Sequence, residues 1–447
     1  MQRQFLPRPR PHERGQTMVF IAISIVSLLA LAALAIDIVT LYVARSEIQR
    51  AADAAALAAA KAIADSGVTS LQSGDAQLGP AQTLARNMAT AAVTAMINGS
   101  STINLVSGAP PTLTTPTPIP IDFTRQGNPH VTIALTRSNL PTFFSKIWAR
   151  SAATVTATAV AEVYNPANVP IFTPISPRSV KPWLVANADP ANAGVQFVNV
   201  GTGAVEPGVI GHQFNLTPDC QTGFPTCPLI AGHNPPIANT GTLQVDYVPL
   251  QVVANSKNVC PACAGASDYE QSIECADVNT YIAPSCGGGA NNATWDSTVN
   301  PANGGVTSFS ASGAVCLTHA SSAGVGQGQD ILPPDPTWPA TPFQIQAGSN
   351  NPQNGNFVAT SNSIVTIPII DTSMCTGCFP TTTGAVTVIG FMQAFINWVQ
   401  DGTTPDPGDI NITVLNVAGC SVSLNAANPV VGGSGTSPVP VRLITPP

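Results

Sequence analysis

Ten cysteines, five histidines and 23 acidic residues are the groups in this 447-residue chain that could bind a metal, carry electrons or activate a nucleophile. Two pairs have Cys-x-x-Cys spacing, Cys260-Pro-Ala-Cys263 and Cys375-Thr-Gly-Cys378. Such pairs build a zinc site when about 15–20 residues separate them, and a thioredoxin-type site when a βαβ pattern adjoins them. Here more than a hundred residues intervene and no such pattern is present. Disulfides are the expectation for all ten: Cys220, Cys227, Cys260, Cys263, Cys275, Cys286, Cys316, Cys375, Cys378 and Cys420. An even count confined to one region fits an oxidising compartment, although spacing alone leaves the connectivity open. Asp401, Asp406 and Asp409 share one Pro/Gly turn and could hold calcium, but their spacing matches no EF-hand loop, so a solvated turn is expected. Gly324-x-Gly326-x-Gly328 runs into Asp330-Ile-Leu-Pro333-Pro334, which cannot open a helix, and this excludes a nucleotide loop. GxxxxGK, HExxH and GxSxG are all missing. His212 and His233 each follow a glycine with no nucleophile motif beside them. No catalytic residue, cofactor or metal is expected, and the chain does not read as an enzyme.

The organising element is the N-terminus. Gly15 to Ile36 contains no charge, and about 20 apolar residues suffice for a helix to cross the hydrocarbon core. Strong helix formers continue from Leu41 to Ala64, and Ser66-Gly67 supplies a left-handed end. One helix of roughly 50 residues, about 75 Å long, follows. Its first half (17–36) would span the membrane, after a basic tail (1–16) carrying Arg3, Arg8, Arg10 and Arg14. These arginines put the tail in the cytoplasm and everything after Asp37 outside. A cleaved signal peptide is the competing reading, with Ala33-Leu34-Ala35 as its small-x-small site. Asp37 marks the membrane boundary. Beyond it, Ala51, Ala52, Ala55, Ala58, Ala59 and Ala62 form a small-residue surface. That surface would either let another helix approach or simply favour helix on a solvated stalk.

The pattern Arg14-Gly15-Gln16, apolar span, Asp37, Leu41-Tyr42, Arg45, Gln49 and the string from Ala51 to Ala58 resembles the N-terminal segment of TadG-like proteins of the Tad (Flp-type) pilus assembly and secretion machinery. Leu140–Val163 is more weakly similar to the end of that family's membrane-proximal region. The resemblance implies an uncleaved single-pass anchor in the bacterial inner membrane. It also implies a structural role in assembling a pilus or secretion apparatus, with other pilus-assembly or envelope proteins as partners. A surface-displayed adhesin sharing the anchor is the alternative. No Glu follows Gly15 within five residues, so the prepilin cleavage site of TadE-type relatives is not matched. Ile370-Asp371-Thr372-Ser373-Met374-Cys375 resembles the DxSxS metal site of von Willebrand A domains, but too little chain follows Asp371 to complete that fold.

Only 9% of residues are charged, against about 25% in ordinary soluble domains. With 36 Gly and 42 Pro, the chain has the composition of a strand-and-turn protein. The net charge is −7 and no basic patch exists beyond the tail, which excludes nucleic acid as a partner. The periodicity predicts a helix over Pro80–Asn98, strands over Ile119–Phe123, His130–Thr136 and Ala153–Tyr164, and a short helix over Leu140–Trp148. The fold class expected is therefore α+β. It comprises a long transmembrane helix, a small pilin-like α+β unit (37–164), a Pro-rich linker (165–181) and a mainly β, disulfide-containing extracytoplasmic domain (182–447). Long irregular loops are expected between Pro284 and Asn356. Ser363–Ile370, Val386–Val399 and Asp409–Val417 should form one antiparallel sheet.

Overall fold

The structure is a computed structural model that describes, with short gaps, residues 13–67, 78–99, 110–122, 128–142, 152–164, 180–218, 243–252, 260–275, 305–333, 343–371, 384–400, 409–419 and 441–444, plus short pieces elsewhere. The expected short helix over Leu140–Trp148 lies mostly outside the described residues, and the strand before it runs on to Pro141.

Helix α1 (Glu13–Asp65) is continuous through all 53 residues and ends at Gly67, whose φ of 73° is the left-handed conformation that glycine adopts without penalty. Helix α2 (Leu78–Gly99) packs back against it. Strands β1 (Thr112–Leu113), β2 (Ile121–Asp122), β3 (His130–Pro141) and β4 (Ala152–Val163) follow. In their antiparallel sheet β1 and β2 both pair with β3, and β3 pairs with β4. The sheet closes over the upper half of α1, so β-branched and leucine side chains of the strands (Val131, Ile133, Leu135, Val163) meet the helix alanines in one core.

The second unit is a closed barrel. Its strands are β5 (Trp183–Ala186), β6 (Gln213–Pro218), β7 (Gln244–Pro249), β8 (Ile364–Ile370), β9 (Val388–Val399) and β10 (Ile410–Gly419). The order is β5-β8-β9-β10-β6-β7, and β7 pairs with β5 to complete the ring. β5 with β8 and β6 with β7 run parallel; the other pairs are antiparallel. Closure leaves these strands no free edge to template aggregation. Trp183, Phe214, Tyr247, Ile367 and Ile396 fill the interior. Phe391 and Leu184 pack in a second cluster and Phe395 and Leu415 in a third, so β8, β9 and β10 are buried along their lengths apart from half-buried Asn397 and Trp398 of β9. That double burial is why apolar residues occupy both faces of these strands, with polar interruptions at Thr366, Gln393, Asn397, Asn411, Thr413 and Asn416. The expected β8-β9-β10 antiparallel order is observed.

Two features depart from expectation. The stretch expected to be loops contains helix α4 (Gly305–Leu317), which packs on helix α3 (Asp268–Glu274). Its Gly, Ser and Thr content hid it, and tertiary contacts override that weak propensity. In addition, the chain returns to its beginning. Strand β11 (Val441–Ile444) pairs antiparallel with β4, and Val439 is fully buried in the alanine core around α1. The sheet packed on α1 is thus completed by residues Val441–Ile444, and the fold is α+β.

Candidate functional site

The residues singled out on α1 divide sharply along its length. From Met18 to Tyr42 the large apolar side chains are exposed, Met18 at 77% and Tyr42 at 73%. This band is about 36 Å long at 1.5 Å per residue, enough to cross a bilayer core of about 30 Å. Gly15–Asp65 holds the one window among the described residues long and apolar enough for a membrane span, with a mean hydropathy of 2.9. Serines and threonines in the band return their hydroxyls to the helix: Ser24 to the Phe20 carbonyl, Ser27 to Ile23 and Thr40 to Ile36, each at 2.8 Å. Such bonds satisfy a hydroxyl where no water can. Asp37 is buried within this otherwise exposed band, as is Ala33.

From Ala44 upward the helix is covered. Ala51, Ala55, Ala59 and Ala62 are buried and Ala58 is half-buried. Their neighbours belong to the same chain: Ala81, Ala85 and Ala89 of α2 on one side, the sheet on the other. Two polar links fix the helix to the sheet. Arg137 of β3 donates to Glu47 at 3.0 Å with both side chains buried, and Gln49 donates to Asp53 and to the Thr158 carbonyl of β4. On the far side of the sheet His130, Glu162 and Arg442 stand in register across β3, β4 and β11. Arg442 donates to Glu162 at 2.6 Å and lies over the Tyr164 ring.

The top of α1 is a joint with the barrel. The last carbonyls of a helix lack intrahelical partners and must find others. Here the barrel supplies them. Asn416 of β10 donates to the Ala64 carbonyl at 3.0 Å, the Phe343 amide to the Ser66 carbonyl at 3.3 Å, and Gln393 of β9 to the Asp65 carboxylate at 2.6 Å. The other oxygen of Asp65 takes Lys61, one turn earlier, at 2.6 Å. Gly67 then passes so close to the barrel that a Cβ there would lie 2.6 Å from Ile210 Cγ2 and 2.7 Å from the Leu415 carbonyl oxygen. The exposed apolar band and the barrel are therefore joined through one uninterrupted helix.

Four of the ten cysteines are described, and they form two disulfides, Cys260–Cys275 and Cys263–Cys316. The two halves of the Cys260–Cys263 motif bond to different partners, one at the end of α3 and one in α4. The motif staples the two helices and is not itself a dithiol pair. Cys220, Cys227, Cys286, Cys375, Cys378 and Cys420 lie outside the described residues, as do Asp401, Asp406 and His233. Asp409 is not in a solvated turn: it is buried and accepts Thr217 at 3.0 Å and Gln244 at 3.1 Å. His212 sits 2.8 Å from Asp189. No group of three or more His, Cys, Asp or Glu gathers around a possible metal position among the described residues.

One buried group escaped sequence analysis, because Lys181 falls at the end of the Pro-rich stretch. Its ammonium is fully buried and donates to the Ile273 carbonyl at 2.5 Å. Burial lowers its pKa to about 7, while nearby Glu274 pulls it back up. Burial also raises Glu274, against the opposing bond from the Gly265 amide. Glu47, Arg137 and Gln393 were likewise missed. Each is a lone polar residue in sequence, and only the fold supplies the partner.

Neither a curated protein nor a solved structure matches the chain. A family model does match, over residues 15–62, and its description is Flp pilus-assembly TadE/G-like. That match begins at the foot of the exposed apolar band and ends within the buried alanine face, three residues before the barrel joint. Residues 15–62 are therefore similar to the TadE/G-like family of Flp pilus assembly.

Proposed function

We propose that the chain is a single-pass structural component of a Tad/Flp-type pilus or secretion apparatus, anchored in the inner membrane with its basic tail in the cytoplasm. It acts by packing, not catalysis. The observation that carries this reading is the coincidence on α1 of the family match, the exposed apolar band and the joint with the barrel. A helix that leaves lipid and enters a protein core without a break sets the height and tilt of whatever it carries. From Asp37 to Asp65 the rise is about 42 Å. The barrel is then a platform held at that distance from the membrane, offering its surface to pilus or envelope partners. The unit formed by residues 37–164 with β11 is the collar that holds the column upright.

The test is deletion of the coding sequence followed by electron microscopy for pili and an adhesion assay, with the membrane fraction probed for the intact N-terminal peptide by mass spectrometry. Lost pili, with the peptide through Ile36 retained in the membrane form, is the expected result. Normal pili with lost adhesion would overturn it in favour of an adhesin on the same anchor. A mature protein starting near Ile36 in the soluble fraction would remove the anchor altogether.

A further inference from the structure

Beside the upper end of α1 lies an open cleft of about 560 Å³, within the size range of small-molecule sites. Lys61 lies about 36 Å along the helix from Asp37, so the opening stands clear of any lipid. The remaining walls are the segments around His319, Asp330, 350–353 and 358–364. We infer that this cleft binds a neutral, hydroxyl-rich ligand, an oligosaccharide.

The argument begins with charge. Two formal charges line the cleft and neither is free. Lys61 is held by Asp65 at 2.6 Å. The Asp330 carboxylate accepts the Gly348 amide at 2.9 Å, Asn351 at 3.1 Å and Ser361 at 2.6 Å. A phosphate would find no uncommitted cation, and a metal ion would have to strip three hydrogen bonds from its only carboxylate. What remains uncommitted is neutral. The Gln353 side-chain amide group, the Thr360 hydroxyl, Oδ1 of Asn350 and Nδ1 of His319 face the cleft without a hydrogen bond to another described residue. These groups mix donors and acceptors, the complement required by sugar hydroxyls, which are both at once. Pro352, Val358 and Ile364 add apolar wall against which the C–H face of a pyranose can lie.

The walls are also set in advance. Asn350 donates to the His319 carbonyl at 2.6 Å and the Gln327 carbonyl at 3.2 Å, tying the loop beyond β-sheet residue Gln346 to the loop after α4. Gly348 passes Gln329 so closely that a Cβ would fall 2.0 Å from its carbonyl oxygen. Asn362 contacts Nε2 of His319 at 2.7 Å and fixes the ring with Nδ1 left over. A site already in place spends less of its binding energy on ordering itself. None of this depends on the pilus-assembly reading, since the cleft uses no residue of the apolar band and shares only the Lys61–Asp65 pair with the joint.

The experiment uses the full chain in detergent with chitotriose, cellotriose and maltotriose as neutral probes, and inorganic phosphate and calcium chloride as charged ones. Saturation-transfer NMR and calorimetry report binding. At least one trisaccharide is expected to bind, without competition from either charged probe. The double substitution Gln353→Ala with Thr360→Ala is expected to weaken binding about tenfold. Both side chains are exposed, so the melting temperature should not move. Absence of binding by all three sugars up to about 10 mM overturns the inference. So does sugar binding that survives both this double substitution and Asn362→Trp, which would fill the cleft, and so does displacement of the sugar by phosphate or calcium.

Discussion

The two halves of α1 share a backbone, a helix-forming composition and an apolar character, yet they meet opposite surroundings. Below Tyr42 the side chains are Leu, Ile, Val, Met and Phe, and they point outward; Leu28 is 66% exposed. Above it they are mostly alanine, and Ala44, Ala51, Ala55 and Ala59 are completely covered. Gly15–Ile36 carries no charge whereas the upper half carries Arg45, Glu47, Arg50, Asp53, Lys61 and Asp65, and the apolar side chains of the two halves differ in size. Large side chains suit contact with mobile lipid, whereas alanine lets a neighbouring backbone close in until the core reaches interior density. The same economy makes the upper half fragile, because a core of methyl groups cannot accommodate a larger or charged replacement.

Paired substitutions separate the halves most strongly. Ala59→Asp would bury a charge between α2 and the sheet and should destabilise the unit built on α1, α2 and that sheet by about 4 kcal/mol or more, read as lost protease resistance. Leu28→Asp should leave that resistance intact and cost roughly 3 kcal/mol of membrane insertion instead, read as release of the protein on alkaline extraction. If both substitutions gave the same phenotype, the division of the helix would be wrong.

The upper half also carries charge, and there the rule is pairing. Glu47→Ala would leave Arg137 without its carboxylate inside the fold, at an expected cost of about 3–5 kcal/mol in chemical denaturation. Replacing both residues by leucine should recover most of the loss. The barrel treats Lys181 differently, giving its ammonium a carbonyl in place of a direct carboxylate. Its folded pKa of about 7 lies below the ordinary 10.5, so the unfolded chain holds more protons between those values. Stability should therefore rise with pH across that window, by about 3 kcal/mol from pH 7 to pH 10. Lys181→Met should flatten this rise. A Lys181→Met variant with an unchanged slope would show that the amine is hydrated.

Local pattern carried most of the elements. The unbroken helix, its glycine end, α2, β3, β4 and the β8-β9-β10 order follow from periodicity, caps and apolar runs within about 20 residues of one another. What stayed hidden depends on partners far apart in sequence. Glu47 meets Arg137 across 90 residues, and Gln393 meets Asp65 across 328. Arg442 reaches Glu162 only because β11 returns across the whole chain. Barrel closure rests on short strands such as Trp183–Ala186, whose four residues show no period. The cleft is lined by Asn, Gln, Ser and Thr, which in sequence signal only loop.

The smallest expected effect falls at the point where the halves of α1 acquire a common purpose. Gly67 is both the left-handed cap of the helix and the closest approach of its end to the barrel. Gly67→Ala adds one methyl group in a conformation that costs a non-glycine residue about 1 kcal/mol, and the methyl must also displace Ile210 and the Leu415 carbonyl. A total near 2 kcal/mol is expected. The loss should centre on the joint, because the atoms the methyl group meets are Ile210, Phe343 and the Leu415 carbonyl. Hydrogen exchange distinguishes that outcome from general destabilisation. Faster exchange at Phe343, whose amide donates to the Ser66 carbonyl, with protection unchanged at β3 and β4, means that column and platform have come apart while each remains folded. Unchanged exchange at Phe343 would mean that the bond from its amide to Ser66 does not depend on Gly67, and that α1 anchors a collar without fixing what stands on it.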